Sequence, residues 1–223
     1  MAPVALVTGA SGGVGLAIVR ALLDAGWEVY AHYRSQPAAG EDVREAHWWQ
    51  ADLLDGEASL RTLPRIERLD ALIHCAGVCP IGPLTETTEE QWQRTLALNV
   101  TAPALLTTAL IPALRAARGH VVSINSGAGQ HTKAQWVCYS ASKHANKAWA
   151  DGLRAEEPEL WVHSVYPGRI ATPMQREIVE TLGEEWTPEA YLEPESVART
   201  VLHILETGED THLTDVTLRP RAH

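Results

Sequence analysis

A tyrosine and a lysine spaced four residues apart are the side chains of this sequence best suited to proton transfer. On a helix, Tyr139 and Lys143 would lie on one face, because residues i and i+4 are neighbours there. A nearby ammonium group favours the phenolate, so we expect the pKa of the tyrosine to fall below its ordinary value of about 10. The pair could then act as a general acid or base on an alcohol or a carbonyl. Tyrosine and lysine pairs at this spacing also arise by chance, so other motifs must decide whether this pair is catalytic.

A glycine-rich turn near the start of the chain has the composition of a phosphate-binding loop. It reads Thr8-Gly9-Ala10-Ser11-Gly12-Gly13-Val14-Gly15 and separates a short apolar run from a helical pattern. Glycines permit a tight turn, close approach of the backbone to a pyrophosphate, and close packing of the helix on the sheet. The helix N-terminus offers unpaired N–H groups to the phosphates. The glycine spacing differs from G-x-G-x-x-G, and a turn without a ligand is the alternative.

The end of the second predicted strand indicates which dinucleotide would bind. An NAD site usually places a carboxylate there to accept from the ribose 2′-hydroxyl. This strand instead ends in Arg34 and Ser35, with no acid. Arg34 can form charge-assisted hydrogen bonds to a 2′-phosphate, and Ser35 adds a donor. We therefore expect NADP(H) rather than NAD; the alternative is an exposed arginine at the end of a strand.

Strand-length apolar runs alternate with helical patterns along the chain. The predicted strands are Val4–Val7, Trp27–Tyr33, His47–Ala51, Asp70–His74, His120–Asn125, Leu160–Tyr166 and His212–Leu218. The main predicted helices cover 14–26, Thr88 to about Ala117, Tyr139–Ala155 and Pro194–Glu206. This alternation predicts an α/β fold, a doubly wound sheet of about seven parallel strands with helices on both faces. Arg169–Glu193 is the least regular stretch, and residues 173–193 are expected to form a lid over a substrate.

Composition limits the other possibilities. The 223 residues suit one domain over 1–223, and 45 % hydrophobic content suits a packed core. A net charge of −10 gives no broad basic surface, so we expect no nucleic-acid partner. Cys75, Cys79 and Cys138 have no zinc spacing, so we expect no metal and a reducing, cytoplasmic location. Thr95–Leu114 carries no charge, but its prolines, asparagine and threonines favour a buried or interface helix over a membrane span.

Taken together, these motifs resemble the short-chain dehydrogenase/reductase family, in its compact single-domain, Rossmann-like branch. The resemblance covers nearly the whole chain. The matching positions, in order, are Thr8–Gly15, Asp52, Ala76-Gly77, Asn99, Ser126, Tyr139-x-x-x-Lys143 and Pro167-Gly168-Arg169-Ile170-Ala171-Thr172. Several separate motifs in the right order and spacing make the match specific.

The resemblance implies a role for each matching residue. Tyr139 would donate and accept the proton, Lys143 would hold the nicotinamide ribose, and Ser126 would stabilise charge on the substrate oxygen. Ser123 is a rival to Ser126 by residue type, but strand alternation should turn it the other way. The implied cofactor contacts are Gly9, Ser11, Gly13, Val14, Gly15, Arg34, Ser35, Asp52, Leu53, Ala76, Gly77, Tyr139, Lys143, Pro167, Gly168, Ile170 and Thr172. For Asp52, a solvated strand end or a helix cap is the alternative.

Asn99 would complete a proton relay through water to Lys143. Residue 103 is proline and has no N–H to donate to the Asn99 carbonyl. We expect Pro103 to interrupt this helix and to leave that carbonyl free for the relay water. The alternative is that both residues only shape the helix. One departure from the family is Cys75, which precedes Ala76-Gly77 where asparagine is usual, so the adjacent strands could pack more loosely or another group could substitute.

The expected activity is hydride transfer between NADP(H) and a small-molecule carbonyl or secondary alcohol, with Tyr139 handling the proton. The alternatives are a non-catalytic NADP(H)-binding regulator on the same fold, and a reductase of an imine, pterin or enoyl bond. Residues expected near the substrate are Gln130, His131, Trp136, Val137 and Met174. Pairing of the uncharged helix and the Tyr139 helix across a two-fold axis predicts a homodimer or homotetramer.

Overall fold

The computed structural model describes residues 1–208 and 210–221, and a seven-stranded parallel sheet forms its centre. The strands are β1 Val4–Val7, β2 Glu28–Tyr33, β3 His47–Gln50, β4 Ala71–His74, β5 His120–Ile124, β6 Trp161–Pro167 and β7 Asp215–Leu218. Their order across the sheet is β3-β2-β1-β4-β5-β6-β7, with every pair parallel. The predicted fold class is confirmed. Residues 209, 222 and 223 of the predicted domain lie outside the described part of the chain.

Helices cover both faces of the sheet. They are α1 Gly13–Asp24, α2 Gly56–Arg61, α3 Glu89–Leu96, α4 Ala102–Ala117, α5 Val137–Glu156, α6 Pro173–Leu182 and α7 Pro194–Glu206. The central strand β1 is apolar at every position, because its alternate residues face opposite layers that are both covered by helices. In β1, Ala5 and Val7 pack in the core beneath α1 and α7, whereas Leu6 packs in the core beneath α4 and α5.

The long helix predicted from Thr88 is interrupted. Between α3 and α4, residues Ala97–Thr101 form one π-helical turn. Pro103 has no N–H for the Asn99 carbonyl, so the ordinary α-helical hydrogen bond is missing there. Within the described residues, Glu89–Ala117 is the one helical stretch whose length and composition would suffice to cross a membrane. Its Leu106, Leu110 and Leu114 pack against the sheet, as a core helix does.

The stretch Arg169–Glu193 is more regular than its sequence suggested. It contains α6, whose N-cap hydroxyl of Thr172 accepts from the Gln175 amide at 3.3 Å. Pro173 stands in the first turn, and Gly183 ends the helix with φ of +64°. These start and stop signals were present in the sequence and were overlooked.

Most other strand ends lie within one residue of the prediction, but the last strand is shorter. It begins at Asp215 rather than His212, because Thr214 donates its amide to the His212 carbonyl in a local turn before the ladder with β6 starts. Helix α2 was not predicted. Its N-cap is Asp55, whose carboxylate accepts from the Ala58 amide at 2.9 Å.

Candidate active site

Two adjoining cavities open at the carboxyl ends of the strands, where parallel α/β sheets bind ligands. The inner cavity, of about 640 Å³, is lined by Gly9, Ser11, Gly13, Val14, Gly15, Ala76, Gly77, Ser126, Tyr139, Lys143, Pro167, Gly168, Ile170 and Thr172 among others. The outer cavity, of about 900 Å³, is lined by Gly9, Ser11, Arg34, Ser35, Asp52, Leu53, Ala76 and Gly77 among others. Of the candidate catalytic and cofactor-binding residues, Asn99 is the one that lines neither cavity.

The glycine turn brings backbone from three elements into close contact. A Cβ atom on Gly15 would lie 2.2 Å from the Gly9 carbonyl oxygen, and one on Gly9 would lie 2.8 Å from the Ala76 backbone. Gly13 has φ of +53°, and a Cβ there would lie 3.3 Å from the Thr172 methyl group. Side chains at these positions would push the turn away from its neighbours or fill the space above it. The turn is therefore built for close approach of its backbone to a ligand.

A buried histidine holds this turn against the sheet. The Gly9 amide donates to His32 Nδ1 at 3.1 Å, and His32 Nε2 lies 3.1 Å from the Ala51 carbonyl oxygen. This arrangement requires a neutral ring that donates from Nε2 and accepts at Nδ1. Burial lowers the pKa of His32, which favours that neutral form. Sequence reasoning missed this residue, although it alternates with the apolar positions of β2.

The ends of β1 and β4 are joined without the asparagine usual before Ala76-Gly77. The Thr8 hydroxyl oxygen accepts from the amides of Cys75 at 3.0 Å and Ala76 at 3.2 Å. The Thr8 amide donates to the Ile73 carbonyl at 2.9 Å. Thr8 therefore ties the ends of these two strands together, and the effect of Cys75 on cofactor affinity stays a prediction.

The three catalytic candidates meet at the inner cavity. Tyr139 and Lys143 lie one turn apart on α5, and Ser126 follows the end of β5. Lys143 Nζ donates to the Ile124 carbonyl at 3.0 Å and lies 5.8 Å from the centre of the Tyr139 ring. The Ser126 Oγ accepts from the Ala128 amide at 3.1 Å. An aromatic hydroxyl, an aliphatic hydroxyl and an ammonium group thus share one pocket.

Ser123 does not compete with Ser126. Its hydroxyl donates to Asn146 Oδ1 at 2.6 Å, and its side chain is buried away from both cavities. The predicted alternation of side chains along β5 is therefore confirmed at this position.

Burial dominates the ionisation of the tyrosine and the lysine. It raises the pKa of Tyr139 well above its ordinary value, and the hydrogen bond from Ser126 lowers it only in part. Burial also lowers the pKa of Lys143 to about 8. The expectation that the Tyr139 pKa would fall below its ordinary value is wrong for this structure, because burial makes the phenol costly to charge.

Asn99 lies behind the pocket and ties three segments together. Its side-chain Oδ1 accepts from the Val78 amide at 2.9 Å, and its Nδ2 donates to the Val78 carbonyl and to Ser142 Oγ, each at 2.9 Å. Its backbone carbonyl accepts from Asn146 Nδ2 at 3.0 Å. The proline thus removes the helical donor, and the Asn146 side-chain amide occupies one of the two acceptor positions of this carbonyl. The binding of a relay water at the other position stays a prediction.

Two buried asparagines extend this network to the catalytic candidates. Asn125 Oδ1 accepts from the Ser126 amide at 2.8 Å, and its Nδ2 donates to the Lys143 carbonyl at 3.1 Å and to Asn146 Oδ1 at 3.3 Å. Neither asparagine was singled out from the sequence. The signal was available for Asn146, since a residue seven after Tyr139 and three after Lys143 lies on the same helix face.

In the outer cavity, the side chains of Arg34 and Ser35 are held less firmly than those of the inner cavity. Arg34 and Ser35 are exposed at the end of β2 and line it together with Asp52. Asp52 Oδ1 also accepts from the Leu54 amide at 3.0 Å, so its role in a local turn is present alongside its place in the cavity. Among the ion pairs of the described residues, none involves Arg34.

The substrate-side candidates are only partly brought together. His131, Trp136 and Met174 line the inner cavity, but Gln130 and Val137 do not. Trp136, Tyr139 and Ile178 form a small apolar cluster with Cys79 at its edge. The three cysteines are free thiols, and no described group of three His, Cys, Asp or Glu side chains is arranged to hold a metal ion.

Comparisons with known proteins agree with this architecture. The family model for short chain dehydrogenases matches residues 3–183. A curated relative, the short-chain dehydrogenase/reductase olcF of Penicillium canescens, is 34 % identical over 90 % of this chain and 88 % of its own. The alcohol dehydrogenase of Thermococcus sibiricus, solved with 5-hydroxy-NADP, shares the fold with a TM-score of 0.87 at 22 % identity, each chain fully covered.

A short-chain dehydrogenase of Shigella flexneri complexed with NADP has a TM-score of 0.83 at 27 % identity, over 98 % of this chain and 96 % of that one. The fold and the cavity thus define a dinucleotide-binding type of α/β protein. The chain belongs to the short-chain dehydrogenase/reductase family and is an oxidoreductase of that family.

Proposed function

We propose that this protein is an NADP(H)-dependent oxidoreductase that transfers hydride between the nicotinamide and the carbon of a carbonyl or secondary alcohol. The observation that carries the proposal is the inner cavity, where Ser126, Tyr139 and Lys143 stand across from the glycine turn and Thr172. The bound cofactor supplies the hydride, and the chain supplies orientation, charge stabilisation and the proton. Tyr139 is the general acid and base.

The residues present fit such a cofactor. The glycine turn offers the close backbone approach that a pyrophosphate needs, and the N-terminus of α1 adds unpaired N–H groups. Pro167, Gly168, Ile170 and Thr172 would hold the nicotinamide end, with Lys143 on the ribose. Asp52 and Leu53 would face the adenine. Arg34 and Ser35 favour a 2′-phosphate, since no acid stands beside them on β2 to repel it.

The ionisation of the pocket favours reduction over oxidation near neutral pH. A buried phenol with a raised pKa is protonated and can donate to the oxygen of a carbonyl as hydride arrives. Ser126 would hydrogen-bond the same oxygen and stabilise its developing charge. The Lys143 ammonium, with a pKa of about 8, is still charged at pH 7 and supports that charge.

We further propose that residues 173–193 act as a lid, that the protein is a cytoplasmic homodimer or homotetramer, and that it binds neither nucleic acid nor membrane. The lid proposal is supported by Arg169, which lines the inner cavity and bonds to Glu184 at 2.7 Å. The assembly proposal is supported by Leu96 and Leu105, which are 38 % and 41 % exposed on the helices around the uncharged stretch.

Two other functions compete with this proposal. A regulator that binds NADP(H) without turnover would not need Ser126, Tyr139 and Lys143 in one pocket. A reductase of imine, pterin or enoyl bonds could use the same pocket, and only substrates separate it from a carbonyl reductase.

The test is a titration of the wild type with NADPH and NADH, followed by a panel of ketones, aldehydes, imines and enoyl compounds with the preferred cofactor. We expect tighter NADPH binding and carbonyl turnover that Tyr139→Phe abolishes while cofactor binding is kept. Equal affinities would overturn the NADP preference. NADPH binding without turnover of any compound would favour the regulator.

A further inference from the structure

We infer that the substrate carries an anionic group, a carboxylate or a phosphate, close to its reacting carbonyl, and that Arg219 binds it. The inference rests on the proposed function and adds a substrate class to it. Its starting point is the charge of the inner cavity. Among the described residues that line it, four are basic (Lys133, Lys143, Arg169 and Arg219) and none is Asp or Glu. The chain as a whole has 28 acidic and 18 basic residues, so this cavity runs against the overall charge.

Two of these four basic residues already have another role or an ion-pair partner. Lys143 belongs to the proton-transfer group, and Arg169 is neutralised by Glu184. Lys133 lies 4.2 Å above the centre of the Trp136 ring at the edge of the pocket. Arg219 has no carboxylate within ion-pair distance among the described residues.

Arg219 is held in place by neutral acceptors. Its Nη1 donates to the carbonyls of Tyr166 at 2.8 Å and Leu218 at 2.9 Å, and its Nη2 donates to Gln130 Oε1 at 3.2 Å. Gln130 is fixed in turn by its bond to Thr217 Oγ1 at 3.1 Å. These bonds orient the guanidinium without neutralising it. In the described residues, they leave Nε–H and one proton of Nη2 for a ligand.

The position of Arg219 matches a substrate held at Ser126. A Cβ atom on Gly127, the next residue, would lie 3.2 Å from Arg219 Nη2. Ser126, Tyr139 and Arg219 line the same cavity, so a carbonyl compound bound at the two hydroxyl groups would share that cavity with the guanidinium. A fixed arginine fork binds carboxylate or phosphate through charge-assisted hydrogen bonds.

Two matched pairs of carbonyl compounds test the inference: acetoacetate with methyl acetoacetate, and dihydroxyacetone phosphate with dihydroxyacetone. We expect the anionic member of at least one pair to have the higher kcat/KM. The pair that shows this preference identifies the anionic group as a carboxylate or a phosphate. In Arg219→Gln that preference should fall about 10-fold or more, the usual effect of losing hydrogen bonds to a charged group. Arg65→Gln removes an exposed charge from a residue that lines neither cavity, and it should leave the preference for the anionic compound unchanged.

The outcomes separate this inference from the proposed function. Turnover of the neutral members with no preference for the anions, or an unchanged preference in Arg219→Gln, overturns the anion site and leaves the reductase intact. If no compound is turned over, the reductase proposal fails for this class. Calorimetry of acetoacetate and of inorganic phosphate with the NADP⁺ complex then decides the anion site: binding that Arg219→Gln abolishes supports it, and no binding overturns it.

A second inference comes from the buried amides rather than from charge: we propose that Asn146 is a positioning residue for the proton-transfer group. Asn146 is 2 % exposed, and its side chain bonds to three other residues. Its Nδ2 donates to the Asn99 carbonyl in the π turn, and its Oδ1 accepts from Ser123 and from Asn125. Asn125 then holds the Ser126 amide and the Lys143 carbonyl.

The missing amide proton of Pro103 makes this network necessary. Without Asn146, the buried Asn99 carbonyl would lose the donor that replaces the helical N–H, and an unpaired buried carbonyl is unfavourable because its lost hydration is not replaced. The π turn would then be free to shift, and with it Asn99, whose side chain bonds to Ser142 on the helix of Tyr139 and Lys143. Asn146 thereby sets how Lys143 stands toward the phenol.

Asn146→Leu, which keeps the branching of the side chain and removes its hydrogen bonds, tests this role. We expect kcat to fall about 10- to 100-fold, as for a displaced catalytic group, with little change in the Kd of NADPH. In the alcohol-oxidation direction, the pH at which activity rises should move upward, because a displaced Lys143 supports the phenolate less well. Thr107→Val is the matched control, since it removes a buried hydrogen bond to His74 of 2.8 Å that is not part of the network.

The control should lose thermal stability and keep the wild-type kcat and pH profile. If Asn146→Leu behaves in the same way, Asn146 is merely structural and the inference is overturned. If Asn146→Leu does not fold, Ser123→Ala carries the test, because it removes one hydrogen bond of the same amide. It should move kcat and the pH profile in the same direction by a smaller amount, and an unchanged profile would count against the network.

Discussion

The two ends of the site are built in different ways. Around Ser126, Tyr139 and Lys143, buried side chains form hydrogen bonds to backbone groups of β5, α5 and the π turn. Around Arg34 and Ser35, the side chains are exposed at the end of β2 and few bonds fix them. The inner end is thus organised before any ligand arrives, whereas the outer end has charge without fixed geometry.

This difference separates chemistry from affinity. Proton transfer needs atoms held in place, so the inner end is made of buried groups whose loss affects rate. Recognition of a 2′-phosphate needs charge more than geometry, and an exposed arginine can adapt to it. Substitutions at the inner end should therefore change kcat, and those at the outer end should change cofactor Kd or KM.

The largest effect is expected at the phenol. Tyr139→Phe should lower kcat by between about 10²- and 10⁴-fold, the contribution of a positioned general acid, while the Kd of NADPH stays near the wild-type value. Steady-state kinetics and fluorescence titration measure the two quantities. Tyr30→Phe, on β2 and in neither cavity, is the control. An equal loss of cofactor binding in Tyr139→Phe would break the separation drawn between the two ends.

At the outer end, Arg34→Ala should raise the Kd of NADPH about 10- to 100-fold and leave that of NADH nearly unchanged, because only the phosphate bonds are lost. The value of kcat at saturating NADPH should stay close to wild type. Arg44→Ala, an exposed arginine outside both cavities, serves as the control. Weaker binding of both cofactors in Arg34→Ala would show that the residue acts on the fold of β2 instead.

A change in pH is expected to have a moderate effect on the rate of carbonyl reduction. Lys143 is charged below its pKa of about 8 and neutral above it, so the rate of carbonyl reduction should fall as pH rises through about 8. The profile of kcat between pH 6 and 10, with NADPH saturating, measures this. A reduction rate that rises across the same range would contradict the charged role of Lys143.

The smallest effect is expected at His32, which lies between the two ends of the site, and it concerns the KM for NADPH. Its Nδ1 can accept from Gly9 only while the ring is neutral, and burial holds its pKa below the ordinary value. The KM for NADPH should therefore rise as the pH falls below the ordinary pKa range of histidine, with kcat much less affected. His32→Leu should raise this KM several-fold and remove its dependence on acid pH. A pH dependence that survives the substitution would assign it to another group.

Much of this molecule could be predicted from local patterns. The sheet, the glycine turn, and the placement of Tyr139 and Lys143 on one helix follow from apolar runs, glycine positions and i, i+4 spacing. The start and end of α6 were also readable, from Thr172, Pro173 and Gly183, but were overlooked. The roles of Arg34 and Asp52 remain predictions, since their side chains are placed at a cavity and not on a ligand.

Other features depended on contacts between distant residues. The sequence alone determined which groups could carry a proton and where a missing proline N–H would interrupt a helix, because both are local properties. Only the tertiary structure decided that burial raises the Tyr139 pKa, that Asn146 takes the carbonyl left by Pro103, and that Arg219 reaches the pocket near Ser126. Desolvation and long-range hydrogen bonds depend on which segments of the chain come into contact, and local patterns do not specify these contacts.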